Sequence, residues 1–101
     1  MARTFGLVQT LARYAVELNR PDGGWTGIEA ATARARRAAA EMRTEGTPVR
    51  FLRSVFVPED ESCFFLYEGP NADAVRDAAG RAELTVAHID KTIGLEPEEE
   101  R

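Results

Sequence analysis

Two runs of β-branched and aromatic residues, 49–57 and 62–68, stand only Pro58-Glu59-Asp60-Glu61 apart. Two strand-forming runs joined by four polar residues read as a β-hairpin, and no other segment limits the possible folds as tightly. If the loop pairs Val57 with Ser62, then Arg50, Leu52, Ser54 and Phe56 share a face with Cys63, Phe65 and Tyr67. Val49, Phe51, Arg53, Val55 and Val57 then share the opposite face with Phe64, Leu66 and Glu68. Both faces are apolar, whereas a sheet with one wet face would alternate cleanly.

The rest of the chain supplies two more strands and two helices. Tyr14-Ala15-Val16-Glu17-Leu18 reads as a strand, closed by the turn chemistry of Asn19-Arg20-Pro21-Asp22-Gly23-Gly24. Thr26 and Glu29 have capping-box spacing and open a helix over 27–45. Its apolar stripe is Ile28, Ala31, Ala35, Ala38, Ala39 and Met42, and Gly46 is placed to end it. Arg37 and Glu41, four apart, are spaced to pair. Asn71 is a cap for a second helix carrying Val75, Ala78, Ala79 and Ala82, and residues 86–93 form a last strand. The order βαββαβ is the split βαβ arrangement, an α+β fold with an antiparallel four-stranded sheet. Right-handed crossovers put both helices on one face of it. The domain runs over 14–95, after an N-terminal extension (1–13) and before an acidic tail (96–101) expected to be disordered.

The 101 residues amount to one domain. Ahead of the tail, twelve basic residues stand against thirteen acidic ones, a balance that argues against nucleic acid as a partner. No apolar run is long enough to span a bilayer. The first residues lack a cleavable apolar core, which points to the cytoplasm. One cysteine, Cys63, excludes an intrachain disulfide and a thiolate-only zinc site.

Small residues at Ser54 and Cys63 suit alanine-rich helices, so the helices are assigned to the Leu52/Ser54/Cys63 face. The other face then exposes Phe51, Val55, Phe64 and Leu66, too much apolar surface to stay wet. A second copy related by a two-fold axis is the simplest cover, which predicts a homodimer; the alternative is that the N-terminal segment folds over the sheet. The same face collects Glu17, Arg53, Glu68, His88, Asp90 and Thr92. Charges enclosed there need partners or ligands. Glu17, Glu68, His88 and Asp90 are the candidate metal ligands, since borderline divalent ions take imidazole together with carboxylates. The competing readings are a hydrogen-bonded strand histidine and ion pairs of the two glutamates with Arg50 or Arg53. Cys63 reads as a small core residue rather than a nucleophile, and Arg34, Arg36 and Arg37 as a solvated helix face, with an anionic-ligand role as the alternative. Glu59, Asp60 and Glu61 read as a soluble hairpin tip, and Trp25 as a staple at the start of the first helix or a roof over the cleft.

The stretches Val49-Arg50-Phe51-Leu52-Arg53-Ser54, Val57-Pro58-Glu59-Asp60-Glu61 and Cys63-Phe64-Phe65-Leu66-Tyr67-Glu68, with Pro70, resemble a small bacterial family of ferredoxin-like proteins, some described as nickel-binding. The likeness covers about residues 14–93. It implies the ferredoxin-like fold, dimerisation and a nickel-type or other divalent metal. This chain departs from it in having Glu83 where the second helix often ends in glycine, one histidine in all, and extra N-terminal residues. Three function classes follow. One is a homodimeric metal-binding protein. Another is an enzyme or small-ligand binder of the dimeric α+β-barrel type, in which a cleft between the sheets takes an apolar ligand. In that class Glu17 or His88 would be the base, and Arg53 or Tyr67 would stabilise an anion. The third is an interaction module without chemistry.

Overall fold

The computed structural model describes residues 10–21 and 23–93. Its elements are β1 (Ala12–Leu18), α1 (Ile28–Thr44), β2 (Arg50–Val57), β3 (Ser62–Gly69), α2 (Ala72–Arg81) and β4 (Val86–Thr92). The strands lie in the order β2-β3-β1-β4, every neighbouring pair antiparallel. This is the ferredoxin-like α+β fold, with the two crossover helices that the hairpin and the two alanine stripes require. The acidic tail and the N-terminal segment up to residue 9 lie outside the described residues. Strand β1 begins at Ala12, so Arg13 belongs to the sheet and not to the extension. Among the described residues no helix is long and apolar enough to cross a membrane.

The helices end as their local chemistry dictates. Gly46 takes φ 106°, with its N–H donating to Arg43 O at 3.0 Å and the Thr47 N–H to Met42 O at 2.9 Å, a Schellman closure of α1. Helix α2 closes identically, the Glu83 and Leu84 N–H groups donating to Gly80 O and Ala79 O. There the left-handed position is held by Glu83 at φ 63°, which a glycine would occupy without steric strain. Asn71 caps α2 as expected, its Oδ1 accepting from the Ala74 N–H at 2.8 Å. The capping box expected at Thr26 does not form: Gly27 is the cap of α1 and no side chain bonds there.

Between helices and sheet, Tyr14, Val16 and Leu18 of β1 and Cys63, Phe65 and Tyr67 of β3 are buried. Ala31, Ala35, Ala38, Ala39 and Met42 of α1 and Val75, Ala78 and Ala79 of α2 cover them. Phe51 corrects the expected face assignment. The β2–β3 register follows Val57↔Ser62 back to Arg53↔Leu66, then shifts so that Phe51 lies opposite Tyr67. The irregularity at Leu52 adds one residue and reverses the alternation beyond it. Phe51 therefore joins the core, its ring 5.3 Å from Phe65 and 5.5 Å from Tyr67, with the Arg36 guanidinium 5.2 Å above it. Val49, also assigned to the open face, is fully buried and packs against Gly69, where an added Cβ would meet its side chain at 3.4 Å. Arg50, assigned to the helix face, pairs with Glu68 on the open side instead.

On the arginine-rich face of α1, Arg36 and Arg37 are exposed as expected and Arg34 is half-buried. Beyond Arg36 on Phe51, Arg34 donates from Nε to Ala82 O at 2.8 Å, tying α1 to the end of α2. The Arg37–Glu41 pair is not among the ion pairs of the described residues. The helices are pinned instead by Arg81 and Glu45, in a bidentate pair at 2.7 and 3.0 Å. The hydrogen bond from Arg81 holds the Glu45 carboxyl below its ordinary range. A carboxyl more acidic in the folded chain than in the unfolded one stabilises the fold above the unfolded-state value, and loses that effect as pH falls through the lower folded-state value. Glu45→Gln is therefore expected to lower the urea midpoint slightly at neutral pH. Below the carboxylate range variant and parent should unfold together.

Candidate functional site

Pairing in the sheet decides which charges meet on the open face. Cross-strand partners share a face, so three rows can be read from the register. Val55, Phe64, Glu17 and His88 form one, and Arg53, Leu66, Ala15 and Asp90 the next. Arg50, Glu68, Arg13 and Thr92 form the third. The apolar middle consists of Ala15, Val55, Phe64 and Leu66, all half-buried within one chain. Positive charge lies along the β2 edge and acidic groups lie on the β1–β4 side.

Three of the four candidate ligands stand together. Glu17 is directly opposite His88, and Asp90 is two residues further along the same face of β4. His88 Nε2 is 3.4 Å from Glu17 Oε1 and 3.0 Å from Asp90 Oδ2. Both carboxylates are aimed at one ring nitrogen. Among the described residues no three His, Cys, Asp or Glu side chains are arranged to hold a metal ion as they stand. Glu68 is elsewhere: it is four residues along β3 from the partner of Glu17, roughly 13 Å at strand spacing. Its neighbour is Arg13 of β1, at 3.9 Å.

The proposed catalytic set does not converge. Arg53 is on one outer strand and His88 on the other, three strand spacings or roughly 14 Å apart. Tyr67 points the other way, into the core, fully buried. Burial pushes its phenol to a higher pKa, and its hydroxyl has no hydrogen-bond partner among the described residues. It is not available to any ligand on the open face. Since an unmade buried hydrogen bond costs about 1–3 kcal/mol, Tyr67→Phe is expected to raise the unfolding free energy by about 1 kcal/mol or more in urea denaturation. Cys63 is likewise fully buried, its thiol made less acidic by desolvation, in keeping with a packing role. Trp25 does not roof the open face: it packs edge-on to Phe56, ring centres 6.0 Å apart, and Phe56 is paired with Cys63 on the helix side. At the hairpin tip Glu61 pairs with Arg20 at 3.1 Å.

Residues 14–91 match the family model described as nickel responsive protein SCO4226-like. No curated protein and no solved structure matches the chain.

Proposed function

We propose that this chain, which belongs to the nickel responsive protein SCO4226-like family, forms a homodimer through the open face of its sheet and binds a nickel-type divalent ion there. The observation that carries the reading is the approach of Glu17 and Asp90 to the same nitrogen of the single histidine, His88. One imidazole and two carboxylates are a donor set that borderline divalent ions accept, and water can complete an octahedron. The donor types fit. An ion at His88 Nε2 would take the place of the two carboxylate contacts there, so both carboxylates must turn from the ring nitrogen toward it. Glu68, by its distance, is outside this set.

The rows support the dimer. A two-fold axis running along the strands would lay the β2 edge of one copy over the β4 edge of its partner. Arg53 and Asp90 occupy opposite ends of one row. That axis brings Arg53 over the partner's Asp90, and the charges separated by the sheet within one chain then compensate each other between chains.

Thermal unfolding of the full chain with nickel chloride, and with EDTA, tests the metal. At a hundred times its Kd a ligand of the folded state adds about 2.7 kcal/mol. For a domain of this size that is a rise in Tm of roughly 10–20 °C. His88→Ala is expected to abolish the rise and Glu68→Gln to leave it intact. No response of the parent chain to nickel, or a full response in His88→Ala, would overturn the assignment.

A further inference from the structure

On the helix side, away from the open face, a pocket of about 390 Å³ opens where β1 ends. Its apolar walls come from Leu18, Trp25, Ile28 and Ala31, and from Leu84 in the α2–β4 connection. The volume falls in the range of small-molecule sites, which combine apolar walls with a few fixed polar groups. The fixed group here is Arg34. It is half-buried in the wall, and its Nε–H is committed to Ala82 O at 2.8 Å, which sets the plane of the guanidinium. None of the ion pairs among the described residues includes Arg34. Glu83, the one carboxylate among the described residues that line the pocket, is exposed and not within 4.0 Å of the Arg34 guanidinium. A partly desolvated guanidinium without a counter-ion among the described residues, held in orientation beside an apolar hollow, is half of an anion-binding arrangement.

We propose that this pocket binds a small amphipathic monocarboxylate, its head on the Arg34 guanidinium and its hydrocarbon body against Trp25, Ile28 and Leu84. The inference is independent of the metal reading, since none of these residues lies on the His88 face.

Trp25 is the sole tryptophan, so its emission reports on the wall of the pocket. The probe is octanoate, with octan-1-ol as the uncharged control of equal length. Octanoate is expected to change the emission saturably, with octanol at least about tenfold weaker, the weight of a charge-assisted contact. Arg34→Gln should raise the octanoate Kd by a similar factor. Because that variant also loses the bond to Ala82, a second one is needed that leaves it in place. Ala30 is exposed and lines the pocket, and Ala30→Glu adds a negative charge at the mouth in a first helical turn that favours one. It too should weaken octanoate, while leaving octanol unchanged. An unsaturable response overturns the proposal, as does equal binding of acid and alcohol or an octanoate Kd indifferent to Ala30→Glu.

Discussion

Phe65→Ala is expected to lower the unfolding free energy by about 3–5 kcal/mol, the range for losing a fully buried aromatic ring. Whole domains retain only about 5–15 kcal/mol, so the urea midpoint should fall steeply. Phe65 is fully buried on a central strand, between Val16 on β1 and Ser54 on β2. The buried stripes of the helices are largely alanine, and the Phe51 ring lies 5.3 Å from that of Phe65. The alanines cannot reach into the space left behind and the Phe51 ring can fill only part of it, so much of the cavity remains and the cost stays within that range. Phe64, next in sequence and on the other face, gives the contrast. It is half-buried within one chain, and Phe64→Ala should cost less at high dilution and more as protein concentration rises. Equal, concentration-independent losses in the two variants would mean that the open face is covered within a single chain.

That difference between neighbours was legible in the sequence because alternation in β3 is unbroken: Cys63, Phe65 and Tyr67 go one way, Phe64, Leu66 and Glu68 the other. The same logic failed on β2, where the extra residue near Leu52 reversed the faces of Phe51 and Arg50. Nothing in Arg50-Phe51-Leu52-Arg53 marks a bulge, since there is no glycine or proline, and both candidate faces offer a large apolar residue. Turn and cap chemistry was readable where one residue type is required, as at Gly46 and Asn71, and misleading at Thr26, where the backbone turns a residue later than the side chain could use. Of the candidate site, strand alternation put Glu17, His88 and Asp90 on one face, while the direct opposition of Glu17 and His88 is a matter of register. The separation of these three from Glu68 and Arg53 depends on register and strand order, which are properties of pairing between distant segments. The pocket beside Arg34 was hidden for a similar reason: its walls come from β1, α1 and the α2–β4 connection, and an arginine on an apparently solvated helix face gives no sign of a bond to Ala82.

Leu66→Asp should turn a dimer into a monomer. Leu66 is at the middle of the open face, between Arg53 and Ala15 in its row and next to Phe64 along β3. Leu66 is already half-buried in one chain, so each copy would lose about half of the 1.5–3 kcal/mol of a full burial, and an isologous interface carries every substitution twice. The loss is then about 1.5–3 kcal/mol, or one to two powers of ten in Kd, before the added cost of enclosing two like charges near the axis. Sedimentation equilibrium over the micromolar range measures it. The parent chain is expected at twice the mass of one chain and the variant at the mass of one, with the far-ultraviolet circular dichroism of both alike because the core side of β3 is untouched. If the N-terminal segment covered this face instead, the parent would sediment as a monomer, and Leu66→Asp would lower its unfolding free energy without changing its mass. A parent dimer that survives the substitution would place the contact on another surface, and would separate Arg53 from the acidic edge that the two-fold pairing gives it.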